Sequence, residues 1–162
     1  MNRLHAWRNH WQGLPGFVKS LLSLASVGLL VLAYVTWAYT QMPGAGLSVH
    51  NHTDRPIFSY FVNENWGGNV AVNGGGFTCC WRIEGDVLTV EWLKSTTQPQ
   101  YEAGMREETL SRQVPNPPRT RQDKYLHVHF FPGDQVRLFW SPNLDSPFEN
   151  LKEAPDSKEQ TQ

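Results

Sequence analysis

The chain has 162 residues, a formal net charge of −1 and two cysteines. Near-neutral charge excludes the basic footprint of a nucleic-acid binder, and two adjacent cysteines exclude a disulfide scaffold. Eleven prolines and thirteen glycines argue against a helical bundle and for short strands joined by turns.

The first predicted element is a membrane helix. From Ser20 to Tyr39 no residue carries a charge, and about 20 mostly apolar residues suffice to cross a bilayer core. Trp37 and Tyr39 stand at its far end, where amphipathic rings favour the interface. Arg3, Arg8 and Lys19 precede the apolar run without an acid among them, and the first charge after it is Asp54. By the positive-inside bias, residues 1–16 are a cytoplasmic N-terminus, 17–39 the transmembrane helix, and everything after about residue 40 is exported. A cleaved signal peptide is the alternative, but the run is long for one, and Trp37 sits in the cleavage zone.

Residues 40–46 read as a short linker, 47–143 as an exported β domain, and 144–162, rich in charged and polar residues, as a disordered tail. Within the domain the apolar period is two. Leu88, Val90 and Trp92 form one alternating run, Leu126, Val128 and Phe130 a second, and Val136, Leu138 and Trp140 a third. Pro132-Gly133 between the last two predicts a hairpin. Ile57–Val62 is apolar on both faces and reads as a central, doubly covered strand. Leu47–Asn51, Phe77–Arg82 and Glu107–Val114 are weaker strand candidates. About seven short strands in under 100 residues predict a mainly β fold, a small antiparallel sandwich or open barrel behind one membrane helix.

Several residues carry candidate chemistry. Cys79 and Cys80, exported to an oxidising compartment, form a vicinal disulfide or remain two thiols on opposite faces of a strand. His50/His52 and His127/His129 each place two imidazoles on one strand face. If the strands adjoin, the four are candidate ligands for Zn²⁺ or Cu²⁺. Aromatic filling of a half-exposed face is the preferred reading, so no metal or cofactor is expected. Asn51-His52-Thr53-Asp54 reads as a polar strand end whose side chains bond local backbone before Arg55-Pro56. Trp66-Gly67-Gly68-Asn69 and Asn73–Gly76 read as turns; the glycine run lacks the Lys and Ser/Thr of a phosphate loop. Trp66 and Arg82 flank these turns and are the candidate partner-binding residues, although for Trp66 a ring folded back over the core edge is the preferred reading. Hydrolase and metalloprotease signatures are missing, so no residue takes a catalytic label.

In order, the domain shows N51-H-T-D-R-P-I57, V62-N63, W66-G-G-N69, G74-G-G76, C79-C80, V90-E-W92 and L126-H-V-H-F130. This order resembles an uncharacterised family of proteobacterial envelope proteins, over roughly Leu47 to Trp140. Glu64-Asn65 departs from the family pattern, which has Gly in that turn. Of each histidine pair the pattern carries one member, His52 and His129. Members often stand beside type VI secretion genes and lipase effectors. The resemblance therefore implies an immunity protein, anchored in the bacterial inner membrane with its domain in the periplasm, that neutralises a secreted effector such as a lipase. A structural component of an envelope complex and a small periplasmic metal or thiol protein are the alternatives.

Overall fold

A computed structural model describes residues 15–148 and Leu151. Contacts divide it into two units, Met1–Met42 and Pro43–Gln162. In the first, α1 (Gly16–Thr40) is 25 residues long and buries none of them. At 1.5 Å per residue it is about 37 Å long, more than the roughly 30 Å of a bilayer core. It is long and apolar enough to cross a membrane. Three of its hydroxyls donate back into the helix: Ser26 Oγ to Leu22 O and Thr36 Oγ1 to Leu32 O, each at 2.8 Å, and Thr40 Oγ1 to Trp37 O at 2.7 Å. Helices that meet lipid must satisfy their polar groups this way. The expected cytoplasmic segment lies outside the described residues except for its last two.

The second unit is a β sandwich. Its strands are β1 (Ala45–Asn51), β2 (Ile57–Val62), β3 (Asn65–Val70), β4 (Gly75–Trp81), β5 (Val87–Lys94), β6 (Glu108–Pro115), β7 (Tyr125–Phe131) and β8 (Gln135–Ser141), with a five-residue helix α2 (Gln98–Glu102) between β5 and β6. One sheet has the order β4-β1-β7-β8, the other β3-β2-β5-β6. All neighbours are antiparallel except β1 and β7, which run parallel with Ser48 opposite His127 and His50 opposite His129. The sandwich is thus mixed where an antiparallel one was expected. A parallel pair joins segments far apart in sequence, and no local turn signal announces it.

Alternation builds the core. Leu47, Val49, Leu126, Val128, Phe130, Val136, Leu138 and Trp140 of the first sheet meet Ile57, Tyr60, Val62, Leu88, Val90 and Trp92 of the second. The expected inward phase of Trp92 and Val128 is observed. The Pro132-Gly133 hairpin is also present, with Phe131 opposite Gln135.

Two strand expectations need correction. Ile57–Val62 is not doubly covered: Phe58 is 63 % exposed and Phe61 half-buried, while Ile57, Tyr60 and Val62 face the core. And the Trp66–Asn69 segment, read as a turn, lies in strand β3. Its Gly67 is required by packing, since a Cβ there would fall inside the buried Tyr60 ring. The turn itself is Asn63-Glu64, with Val62 opposite Asn65 and Asn63 at a φ of 53°. The strands covered on both faces are β1 and β7 of the other sheet. Residues 45–49 and 126–131 are all buried.

Candidate functional site

The second face of β7 is covered by residues just past β8. Ser146 is half-buried and Phe148 only 7 % exposed. Phe148 packs edge-on against His129, 5.5 Å between ring centres, and against Phe139. Residues 144–148, which the sequence placed in a tail, therefore begin by closing over the sheet. Residues 149–150 and 152–162 of the expected tail lie outside the described residues. Likewise β1 starts at Ala45, inside the expected linker.

Beneath this cover lies a ladder of four imidazoles. The parallel register puts residues 48 and 50 of β1 beside 127 and 129 of β7 on one face. His52, just beyond β1, extends the row. His50 Nε2 lies 3.1 Å from His127 Nδ1, and His52 Nε2 lies 2.9 Å from His129 Nδ1. The His50 and His129 rings stack nearly parallel, centroids 4.3 Å apart. His127 Nε2 faces the Asn143 carbonyl at 3.2 Å, and His129 Nε2 the Ser146 hydroxyl at 2.8 Å. Ser48 Oγ lies 3.3 Å from His50 Nε2. His52 and His129, the two that the family pattern carries, pair with each other; His50 and His127 form the other pair.

Burial decides the charge state of this cluster. His127 and His129 are fully buried. For His129, burial and then the neighbouring His50, His52 and His127 lower the pKa from 6.5 to about 2. For His50, burial, then His127 and His52, lower it to about 4. Desolvation and like neighbours both disfavour the imidazolium, so these two rings are neutral near pH 7, with nitrogen lone pairs available to accept hydrogen bonds or bind metal. The face expected to be half-exposed is buried at His127 and His129 and half-buried at His50 and His52. A cleft of about 440 Å³ opens beside it, lined by Ser48, His50, Asn51, His52 and Asn73–Gly76.

The Asn51-His52-Thr53-Asp54-Arg55 segment does what its composition suggests. Asn51 is buried and uses its whole amide. Nδ2 donates to Arg55 O and Ala71 O, each at 2.9 Å, while Oδ1 accepts from Thr53 N and Thr53 Oγ1. Arg55 donates in turn to the Ser95, Lys94 and Arg106 carbonyls and pairs with Glu108. This rigid corner fixes the direction in which His52 leaves β1.

The remaining candidates lie elsewhere. Cys79 and Cys80 stand at the end of β4, both exposed, with their sulfurs joined. Neither is a buried small hydrophobe. Trp66 is 50 % exposed on the outer face of the second sheet, directly opposite Phe61. Arg82 follows β4 of the first sheet, its side chain 64 % exposed and ion-paired with Glu84 at 3.5 Å. The two edge strands that carry them meet where Thr78 Oγ1 donates to Gly67 O at 2.6 Å. Sequence reasoning missed the roles of Asn143, Ser146 and Phe148 in covering the histidines. No periodic signal marks them, because a single crossing segment has no repeat.

Fold and site define a β-sandwich protein with a long apolar N-terminal helix and a partly buried imidazole ladder. Residues 50–138, more than half of the chain, match the family described as "Protein of unknown function (DUF3304)", and the chain belongs to it. No curated protein and no solved structure matches it.

Proposed function

We propose that the protein is a membrane-anchored binding protein of the bacterial envelope. In this reading its sandwich lies on the periplasmic side and acts as an immunity protein against a type VI secretion effector, a lipase being the leading class. The observation that carries the binding role is the exposed aromatic surface of the second sheet. Phe58 and Trp66 are 63 % and 50 % exposed, and Trp66 stands beside the half-buried Phe61. Aromatic anchors of this kind are enriched where proteins bind one another. The Arg3, Arg8 and Lys19 flank supports the orientation, and the resemblance supports the effector class. The reading assigns no catalytic residue and no nucleic-acid partner.

The test is protection. Cells are made to export the effector encoded beside this gene, with the full-length protein, no protein, or Trp66→Ala expressed alongside. The expected result is survival with the parent protein, death without it, and weakened protection by Trp66→Ala. Truncating a central anchor costs at least about 2 kcal/mol of affinity. Equal survival with and without the gene refutes the immunity role and leaves a structural component of an envelope complex as the reading.

A further inference from the structure

The histidine ladder does not face the aromatic surface assigned to the partner, and it supports a second role independent of that assignment. We propose that His50 Nε2, His127 Nδ1 and His129 Nδ1 form a binding site for a divalent transition-metal ion, zinc being the species their chemistry suits.

The nitrogens are already gathered. One ring nitrogen of each of these three histidines lies within 4.8 Å of the other two. Tetrahedral zinc with Zn–N bonds of about 2.0–2.1 Å holds its ligand nitrogens roughly 3.3 Å apart. The His50–His127 pair stands at 3.1 Å, close to that spacing. His129 Nδ1, which lies 2.9 Å from His52 Nε2, joins them when its ring tilts out of its parallel stack on His50 and exchanges His52 for the ion.

The tautomers of the two buried rings suit a metal, while His50, whose Nε2 donates to His127 in the free protein, takes its proton on Nδ1 when the ion binds. A backbone carbonyl only accepts, so the Asn143 oxygen facing His127 Nε2 requires the proton on Nε2. That leaves His127 Nδ1 as a lone pair directed at His50. The Ser146 hydroxyl facing His129 Nε2 accommodates the same arrangement. A metal-binding imidazole commonly donates its other N–H to a carbonyl or hydroxyl, which fixes the ring and makes it a better ligand. Here both outer acceptors come from the segment that closes over the sheet, which adds an outer shell to both buried ligands.

The donor set selects the ion. Neutral imidazoles suit zinc and copper rather than calcium or magnesium, which prefer oxygen. Three protein ligands leave the fourth position of zinc open. Ser48 and His52 line the cleft beside His50, and this cleft is the route of entry. Three imidazoles plus one open position is also the arrangement of catalytic rather than closed structural zinc sites, so a bound water or a small anion completes the coordination.

The experiment uses the full-length chain in detergent, carrying no oligohistidine tag and stripped with a chelator. Zinc is titrated against a chromophoric competitor, and cobalt is loaded in parallel for its visible d–d bands. One ion per chain is expected, bound tighter than micromolar, with cobalt bands of a four-coordinate site. His50→Gln keeps a hydrogen-bond donor for His127 but removes a ligand. It should weaken zinc by more than the roughly 10–100-fold typical of an outer-shell change and abolish the bands. His127→Gln should do the same, and Ser146→Ala should weaken zinc about 10-fold. Far-ultraviolet dichroism and tryptophan fluorescence report folding. If buried His127→Gln fails to fold, the half-buried His50→Gln decides alone. Zinc that binds no tighter than millimolar, or that binds His50→Gln as it binds the parent, overturns the site and shows the ladder to be a hydrogen-bond network only. Neither outcome bears on the immunity assay, which needs no metal measurement.

Discussion

At the scale of single residues, two positions gain their meaning from what lies opposite them. Gly67 sits in a strand because Tyr60 of the neighbouring strand occupies the space that a side chain would need. Tyr60 is fully buried and its ring cannot swing away. Gly67→Ala should therefore destabilise the domain by at least about 2 kcal/mol, at the upper part of the range for overpacking. A shift of the urea midpoint under constant slope checks it. His50 and His129 lead to a pH prediction. Both have folded-state pKa values below the ordinary 6.5, about 4 and about 2. Above 6.5 they are neutral folded and unfolded, and their contribution does not vary. Below 6.5 the unfolded chain takes up protons that the folded chain refuses, so stability falls as pH drops from 6.5 through 4 and on towards 2. Denaturation of the metal-stripped protein at steps between pH 8 and 3 measures this; flat stability below pH 6.5 would show the rings to be solvated. Much at this scale was legible. The polar strand end at Asn51 satisfies its neighbours' backbone as its side-chain chemistry suggested. Burial of His127 was not legible, because alternation says only that His127 opposes Val128, not what lies on the far side.

At the scale of elements, strict alternation gave β5, β7 and β8, where one face is apolar and the period is unbroken. Trp92 tests that phase. It is 3 % exposed and packs 5.3 Å from the Phe130 ring across the sandwich. Trp92→Ala should cost about 3–5 kcal/mol, and unchanged denaturation would contradict its core position. β3 escaped because two glycines and an asparagine speak for a turn when read locally. The deciding contact, with Tyr60, is made by another strand. β2 misled in the opposite direction: its apolar outer face is Phe58 and Phe61, aromatic but not covered. An apolar residue on a strand says that burial is favourable, not that the fold supplies a cover. β4 carries the cysteine pair at an exposed edge. With the sulfurs joined, protein isolated without reductant should resist alkylation until reduced and then gain two labels by mass. Immediate labelling of both positions would show free thiols.

At the scale of the whole molecule, the helix and the sandwich divide the work. α1 has no buried residue, and the sandwich has its own core, so the anchor should add location rather than contacts. Export fixes the first test. An alkaline phosphatase fused after residue 143 should be active and one fused before Lys19 inactive, given the basic flank. The opposite pattern would place the sandwich in the cytoplasm and remove the basis for periplasmic immunity. If export holds, replacing residues 1–40 by a cleavable signal peptide should leave a folded, periplasmic domain that still protects. Tethering acts through effective concentration and creates no new contact with the partner. Released protein should therefore need a higher expression level to give the same survival, and raising that level should restore it. A released domain that never protects at any level would instead make the helix part of the binding surface, and the partner would then be sought within the membrane.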